Sequence, residues 1–359
     1  MQIKEKTELA PFTTFKIGGE ADYFCVVKDQ FDALSAYEFA AEKHLAVFVL
    51  GGGSNLLISD KGFRGLVIKV ENSGIEVVYE NDKEVVLKVA SGERWDGVVS
   101  FAVNNSWWGM ENLSHIPGNC GAIAVQNVGA YGQEASRVIK SVTVFDRDTH
   151  QILELENSNC NFGYRSSIFN TSQKGKYIIF SITFVLLKNP RPVLTYRDLA
   201  KRFLGQNPSL QEIRAAVTEI RDAKFPYPTE ARLGNAGSFF KNPVVAETDL
   251  LKLKEVVTSV FGAEKAALLE NKIFREGEKV KVPAAFLMEI CGLKDLRHGG
   301  AKINYNQPLV IVNEEGKATA SDVLGLAKKV IGTVYEKCGV RLKLEPELVG
   351  FSPSELEGM

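Results

Sequence analysis

The sequence is poor in the residues that build metal centres, disulfide frameworks and strongly charged surfaces. Its five cysteines are widely spread with no C-x-x-C pair, and its four histidines are scattered. This pattern predicts free thiols in a reducing compartment, and neither a zinc site nor a histidine-based nucleophile triad. Lys plus Arg (43) nearly balances Asp plus Glu (44), so no overall field favours nucleic acid or an anionic membrane.

Long apolar runs are absent as well. No stretch approaches the ~18 apolar residues of a membrane span, and residues 1–6 lack the apolar core of a secretory signal. We therefore expect a cytoplasmic protein without a membrane partner, in which local cations hold any anionic substrate. Its 359 residues, 45% of them hydrophobic, suffice for roughly two or three globular domains.

The N-terminal part of the sequence alternates strand and helix patterns. We predict a strand at residues 23–27, a helix at 30–43 and a strand at 46–50. Phe31, Leu34, Phe39 and Ala41 lie on the predicted helix. The strand at 46–50 is apolar throughout, which suits burial on both faces of a sheet. A glycine triplet follows it, at the strand end where ligands of α/β folds usually lie.

Residues 75–187 read mainly as strands, and the C-terminal third mixes helices and strands. The clearest predicted strands are 84–90, 137–145, 177–187, 309–312 and 340–344, the last leading to Glu347. The predicted helices are 95–104, 209–224 with a serine cap, 248–261, 283–291 and 321–337. A proline-containing break at 225–228 predicts three parts. These are residues 1–70, residues 71–225 with a returning segment at 338–359, and residues 226–337.

Two glycine-rich segments are candidates for a nucleotide site. Residues 51–55 read Gly-Gly-Gly-Ser-Asn and can form a nest of backbone N–H groups for a diphosphate. Residues 116–132 contain the second segment, so two loops can hold a long dinucleotide in extended form. The triplet does not match G-x-G-x-x-G, and a Rossmann fold is therefore not predicted. Taken alone, the triplet is equally typical of a flexible turn.

Residues 234–243, Gly-Asn-Ala-Gly-Ser-Phe-Phe-Lys-Asn-Pro, present a lone hydroxyl group. Glycine and asparagine allow a tight, partly left-handed backbone whose N–H groups approach a ligand closely. Ser238 then lies beside two aromatics, a cation and an amide. This composition favours a ligand-binding turn over a surface hairpin with buried phenylalanines. A serine-hydrolase nucleophile is disfavoured, since neither a G-x-S-x-G motif nor a base is evident.

Four segments, at residues 50–57, 161–169, 234–243 and 344–348, together resemble the flavin-dependent UDP-N-acetylenolpyruvoylglucosamine reductases (MurB family). The likeness runs in the same order from about residue 14 to 350. It implies an α+β fold, with a two-part FAD-binding domain of the vanillyl-alcohol-oxidase (PCMH) type and a smaller α+β substrate-binding domain. It also implies a monomer with noncovalent FAD that uses NADPH to reduce UDP-N-acetylglucosamine enolpyruvate to UDP-N-acetylmuramate. That product serves peptidoglycan synthesis, and through it cell-wall biogenesis, cell shape and cell division.

The resemblance also implies which residues bind the ligands. For FAD these are Gly51, Gly52, Gly53, Ser54, Asn55, Pro117, Gly118, Gly121, Gln126, Asn127, Gly129 and Ala130. For the UDP-sugar they are Tyr164, Tyr196, Lys224, Asn242 and Gln307, and Tyr164 also meets the nicotinamide. The Tyr196 segment indicates the type I subclass. Judged without the family, Tyr196 and Gln307 are more typical of packing or loop residues than of ligand contacts, and no metal ligand is expected.

The reduction needs a proton donor and a way to hold charge beside the substrate carboxylate. By resemblance Ser238 donates the proton, while Arg165 and Glu347 stabilise the enolate-like charge. A guanidinium pairs with a carboxylate in a planar fork, and a glutamic acid in a dry site keeps its proton. The alternatives are that Arg165 is a surface ion-pair partner, and that Glu345 takes the role of Glu347.

Two positions depart from the family pattern. Ser166 stands where an aspartate is more usual, and residues 348–350 lack the arginine that often follows the glutamate. Two other functions remain alternatives: another FAD-dependent oxidase or dehydrogenase of the same fold, and a noncatalytic UDP-sugar sensor. The motifs at Tyr164, Ser238 and Glu347 argue against the first. The presence of all three catalytic candidates argues against the second.

Overall fold

The computed structural model describes residues 1–224, 227 and 234–359. The chain divides into two compact units. The first contains Met1–Thr7, Glu20–Gly53 and Phe63–Ala223. The second contains Glu8–Gly19, Ser54–Gly62 and Lys224–Met359. The predicted break at residues 225–228 lies outside the described residues, apart from Tyr227, and the three-part division stays a prediction.

Strands and helices are distributed along the whole of the described chain. The strands are β1 (Ile3–Glu8), β2 (Glu20–Val27), β3 (Val47–Leu50), β4 (Leu56–Ile58), β5 (Phe63–Val70), β6 (Ile75–Glu80), β7 (Glu84–Ala90), β8 (Gly129–Ala130), β9 (Gln133–Glu134), β10 (Ile139–Asp146), β11 (Ile152–Glu156), β12 (Tyr177–Leu187), β13 (Gly234–Ser238), β14 (Val244–Ala246), β15 (Phe274–Glu276), β16 (Lys279–Lys281), β17 (Arg297–His298), β18 (Ala301–Ile303), β19 (Val310–Asn313) and β20 (Glu347–Val349). The α-helices are α1 (Gln30–Glu42), α2 (Trp95–Asn104), α3 (Cys120–Val125), α4 (Arg197–Arg202), α5 (Leu210–Lys224), α6 (Glu247–Phe261), α7 (Ala263–Glu270), α8 (Ala284–Ile290) and α9 (Ala320–Cys338).

The first unit is built on two larger sheets. A four-stranded sheet has the order β1-β2-β5-β3, with β5 parallel to both β2 and β3. A five-stranded antiparallel sheet has the order β11-β10-β12-β7-β6. Successive strand residues point to opposite faces, so Phe145 and Ile178 pack in the core under α1, whereas Val144 and Ile179 pack in the larger core with α2 and α5.

The second unit has its own hydrophobic core. Its largest sheet has the order β13-β19-β18-β17, and a smaller antiparallel sheet has the order β14-β16-β15. Helix α9 contributes a buried stripe at helical spacing that includes Val323, Leu326, Val330 and Val334. Strand β20 pairs in parallel with β4, which fixes Glu347 opposite Leu56. No described helix is both long and apolar enough to span a membrane.

Several predicted elements are confirmed with their bounds. Helix α2 and strands β7 and β12 begin and end where the sequence predicted. Helix α5 has the predicted serine cap, because Ser209 Oγ accepts from the N–H of Glu212 at 3.3 Å and the Glu212 carboxylate accepts from the Ser209 N–H at 2.8 Å. The fold class is likewise a mixture of helices and sheets, as expected.

The predicted burial of the strand at residues 46–50 is wrong, and helix α1 buries mainly alanines. Strand β3 lies at the edge of its sheet, so Val47–Leu50 is only half-buried except at Leu50. The buried residues of helix α1 are spaced as one helical stripe and are Ala33, Ala36, Tyr37 and Ala40. Phe31 lies off that stripe and is 70% exposed.

The predicted final strand at residues 340–344 is also corrected. Within the described residues, this segment forms no regular strand ladder. It makes isolated backbone contacts, namely a hydrogen bond from Lys241 N–H to Lys343 O (2.8 Å) and a bridge between Leu344 and Phe240. A regular ladder begins only at Glu347, after Pro346, which has no N–H to donate.

Candidate functional site

The first glycine loop follows β3 and touches a second loop through bare backbone. A Cβ placed on Gly52 would lie 2.6 Å from Gly118 Cα and 2.7 Å from Asn119 N. Gly53 has φ +64°, a conformation that favours glycine. Any side chain at position 52 would therefore push the two loops apart.

The second loop is anchored by two backbone hydrogen bonds, while other N–H groups of the loop donate to no acceptor among the described residues. Cys120 N–H donates to Glu93 O (2.8 Å), and Gly121 N–H donates to Ser91 O (3.0 Å). Within the described chain, the N–H groups of Gly52, Gly118 and Asn119 donate to no protein acceptor. The buried Ser91 Oγ likewise has no partner among the described residues. Backbone donors in a cradle without Cβ atoms suit the phosphate oxygens of a dinucleotide.

Lys69, which the sequence analysis missed, supports the first loop. Its ammonium donates to Gly51 O at 2.9 Å and lies 3.7 Å from the carboxylate of Glu71. Burial lowers the pKa of Lys69, and the nearby Glu71 opposes that effect. The signal in the sequence is a lysine near the end of the apolar stretch of strand β5 that follows Arg64 and is buried.

Asn127 ties a hairpin to a turn. Its Nδ2 donates to Glu134 Oε2 and to Gly163 O, both at 3.1 Å, and its Oδ1 accepts from Ser136 N–H at 2.9 Å. The hairpin is β8–β9, which carries Gly129 and Ala130. The Asn127 carboxamide therefore positions backbone, and only 1% of the residue is exposed. The other predicted FAD residues of this unit are Pro117 and Gln126, both half-buried on the surface of the second loop and at the end of α3.

Arg165 is held in a strained turn. Gly163 and Ser166 exchange backbone hydrogen bonds of 2.9 and 3.2 Å, which leaves Tyr164 and Arg165 as a two-residue turn. Arg165 has φ +53°, which is uncommon for a non-glycine residue. Its Nη2 donates to Gly129 O at 3.0 Å, and its guanidinium carbon lies 5.3 Å from the centre of the Tyr164 ring. Strain of this kind is concentrated at functional sites.

In the second unit, an irregularity in β13 sets the direction of Ser238. The register with β19 shifts between Asn235 and Ser238, and Gly237 has φ +69°. The Asn235 carboxamide oxygen accepts from Gly237 N–H at 2.9 Å and so stabilises the bend. Phe239 and Phe240 are fully buried, whereas Ser238 is half-buried. The bulge thus anchors the aromatics and leaves the hydroxyl accessible.

Backbone hydrogen bonds bring the Ser238 segment next to the Glu347 strand. Glu345 N–H donates to Phe239 O at 3.0 Å. Asn55 donates through Nδ2 to Glu345 O (3.2 Å), and Asn55 O accepts from Glu347 N–H at 3.0 Å. Glu347 and Glu345 are both half-buried, so this geometry leaves the choice between them to experiment.

The remaining predicted residues lie in both units. Gln307 is in the turn before β19, where Leu309 O accepts from Phe239 N–H at 2.7 Å, so Gln307 is close to Ser238 in the second unit. Asn242 accepts through Oδ1 from Ala284 N–H at 3.0 Å at the start of α8. Ser54 and Lys224 are half-buried residues of the second unit. In the first unit Tyr196 is 40% exposed, with its ring 5.0 Å from that of Tyr131.

Comparisons with known proteins give two family matches. Residues 21–155 match the family described as an FAD binding domain. Residues 227–349 match the C-terminal domain of UDP-N-acetylenolpyruvoylglucosamine reductase. A crystal structure of UDP-N-acetylenolpyruvylglucosamine reductase (MurB) from Thermus caldophilus aligns with a TM-score of 0.67 at 23% identity, covering 97% of this chain and 99% of that chain. The expected fold class is thereby confirmed.

Curated relatives are similar along nearly their whole length. The UDP-N-acetylenolpyruvoylglucosamine reductase of Neisseria meningitidis serogroup B is 38% identical over 357 residues, which covers 96% of each chain. The protein of the same name from Flavobacterium johnsoniae is 35% identical over 354 residues, covering 97% of this chain and all of the relative. The chain therefore belongs to the UDP-N-acetylenolpyruvoylglucosamine reductase (MurB) family and is an FAD-dependent oxidoreductase.

Proposed function

We propose that this protein reduces UDP-N-acetylglucosamine enolpyruvate to UDP-N-acetylmuramate, with NADPH as the source of reducing equivalents. The observation that carries the proposal is the identity of 38% over 96% of both chains to a relative named for this reductase activity. The protein acts as a cytoplasmic monomer of the type I subclass, and its product enters peptidoglycan synthesis, which sustains cell shape and division.

Backbone groups of the first unit are suited to hold FAD, which when bound supplies the hydride chemistry. The N–H groups of Gly52, Gly118 and Asn119, which donate to no acceptor within the described residues, would hold its diphosphate. Lys69 keeps the first loop in place through Gly51 O. Asn127 acts indirectly, by fixing the hairpin that carries Gly129.

Ser238 delivers the proton to the substrate carbon that bears the carboxylate. Hydride addition to the terminal carbon of the double bond leaves enolate character at the carbon that bears the carboxylate. Protonation of that carbon gives the product. The bulge in β13 holds the hydroxyl at a fixed, half-buried position. Because the pKa of a hydroxyl lies far above neutrality, neighbouring groups must favour the transfer.

Arg165 and Glu347 stabilise the negative charge on the substrate carboxylate during this step. Arg165 is pre-oriented by its hydrogen bond to Gly129 O, and its planar guanidinium suits a carboxylate. Glu347, held by the backbone of Asn55, supplies an acidic hydrogen in its protonated form.

Five further residues recognise the substrate and the nicotinamide. Lys224 neutralises charge on the UDP diphosphate, and Tyr196 closes over it from an exposed position. Asn242, Gln307 and Tyr164 line the sugar-nucleotide site, and Tyr164 also meets the nicotinamide. A near-neutral chain needs such local groups to hold a diphosphate.

The close approach at Gly52 generates the first prediction. Gly52→Ala should weaken FAD binding more than about tenfold, since the displaced loop loses at least one hydrogen bond to a charged phosphate. Gly97→Ala is the matched control, because a Cβ there meets nothing nearer than Arg94 Cβ at 4.0 Å. The measurement is the FAD-to-protein ratio of folded protein. Full FAD content in Gly52→Ala would remove this loop from the cofactor site.

The position of Ser238 generates the second prediction. Ser238→Ala should leave reduction of the flavin by NADPH largely intact and slow reoxidation by the enolpyruvyl sugar about 10²–10⁴-fold, the usual value of general acid catalysis. Anaerobic stopped-flow absorbance follows the two half-reactions separately. Ser259→Ala, on the exposed side of α6, serves as the control. Reoxidation of Ser238→Ala at the wild-type rate would show that Ser238 is not the donor.

A third prediction separates the two neighbouring glutamates. Glu347→Gln should slow reoxidation by the enolpyruvyl sugar about 10²-fold or more, because a donor to the developing charge is weakened. Glu345→Gln, two residues earlier and also half-buried, should change that rate little. The same stopped-flow assay measures both variants. The reverse order of effects would transfer the role to Glu345.

A further inference from the structure

One buried carboxamide in the first unit joins two segments that are distant in sequence. Asn112 is 1% exposed, and its Nδ2 donates to Tyr131 O at 2.7 Å and to Val193 O at 2.8 Å. The two acceptors lie 19 and 81 positions from it along the chain. Both protons of the amide nitrogen are thus used to fasten one segment to the other.

The segment on one side of Asn112 is a rigid hairpin. Tyr131 (φ +49°) and Gly132 (φ +85°) form the two-residue turn between β8 and β9, and two positive φ values are typical of a type I′ turn. The Gln133 carboxamide nitrogen donates to Gly109 O at 2.6 Å, which anchors the hairpin beside its turn. Residues Gly129 and Ala130 of this hairpin are among those proposed for the FAD site.

The segment on the other side leads to Tyr196. A Cβ on Gly132 would lie 2.9 Å from Thr195 Oγ1 and 3.5 Å from Val193 Cγ1, so this segment lies directly on the hairpin turn. The Tyr196 ring meets the Tyr131 ring edge-on, at 5.0 Å and 71°. Tyr131 is only 7% exposed, whereas Tyr196 is 40% exposed. The hairpin is therefore a fixed support, and Tyr196 is the exposed part that it carries.

We propose that Asn112 is a positioning residue for substrate binding, which holds the Tyr196 segment against the hairpin of the FAD site. The proposal rests on the substrate role of Tyr196 in the proposed function. Without the amide donors, the carbonyl groups of Tyr131 and Val193 lose this partner, and the segment populates detached conformations. Affinity for the UDP-sugar then falls in proportion to the fraction that remains docked.

The test compares Asn112→Leu with a control variant that loses an equivalent carboxamide bridge elsewhere in the same unit. Asn157 also donates through Nδ2 to two backbone carbonyls, those of Ser136 and Ile139, both at 2.8 Å. Asn157→Leu in the same unit therefore reports what the loss of such a bridge does to general stability. Trp95, Trp107 and Trp108 all lie in the core of this unit, so tryptophan fluorescence verifies folding of each variant.

Two readouts are measured on the full-length holoenzyme. Hydrogen exchange of residues 189–199 should be faster in Asn112→Leu and unchanged in Asn157→Leu. The KM for UDP-N-acetylglucosamine enolpyruvate should rise about tenfold in Asn112→Leu only, with FAD content and the rate of flavin reduction by NADPH unchanged. If Asn112→Leu does not fold, Asn112→Ser removes the same donors without adding bulk and is held to the same expectations.

Each outcome decides a separate question. Equal hydrogen exchange at residues 189–199 in the Asn112 variant and wild type overturns the positioning role of Asn112. An equal change of KM in the Asn112 and Asn157 variants also overturns it. Tyr196→Ala, measured alongside, tests the proposed function itself. If Tyr196→Ala raises KM and the Asn112 variant does not, only the positioning role of Asn112 is refuted. If Tyr196→Ala leaves KM unchanged, the substrate role of Tyr196 fails, and the positioning role of Asn112 fails with it.

Discussion

The contact between two stretches of bare backbone, at Gly52 and at Gly118–Asn119, is the constraint on which the proposed cofactor site depends. Because no Cβ fits between them, the two loops pack backbone against backbone, a geometry that suits the proposed binding of a diphosphate by their N–H groups. Lys69 fixes one side of this contact through Gly51 O, and Ser91 and Glu93 fix the other through backbone hydrogen bonds. The dinucleotide site that we propose therefore relies mainly on backbone groups.

Asparagine carboxamides then organise the segments that carry chemistry. Asn127 joins the β8–β9 hairpin to the turn of Arg165, and Asn112 joins the same hairpin to the Tyr196 segment. Asn55 and Asn235 do comparable work in the second unit, beside Glu347 and Ser238. A carboxamide both donates and accepts, so one side chain satisfies backbone groups of several segments. This arrangement holds the side chains proposed to act on the substrate while leaving them accessible to solvent.

Local patterns were enough to predict the elements whose signals are local. Helix α2 and strands β7 and β12 follow from periodicity and turn residues alone, and the motif around Ser238 pointed to a ligand-binding turn. The edge position of β3, the face that α1 buries and the pairing of β20 depend on partners distant in sequence. Lys69 and Asn112 escaped notice for the same reason, since their partners become neighbours only in the fold. Residue roles at the site were reached through family resemblance rather than through pattern.

The most direct measurement is an anaerobic absorbance experiment on the purified holoenzyme, in which NADPH is added first and UDP-N-acetylglucosamine enolpyruvate second. The proposed function predicts that NADPH bleaches the FAD absorbance and that the enolpyruvyl sugar restores it within the turnover time, with formation of UDP-N-acetylmuramate. A flavin that stays reduced in the presence of this sugar, and is reoxidised only when air is admitted, would contradict the proposed reaction.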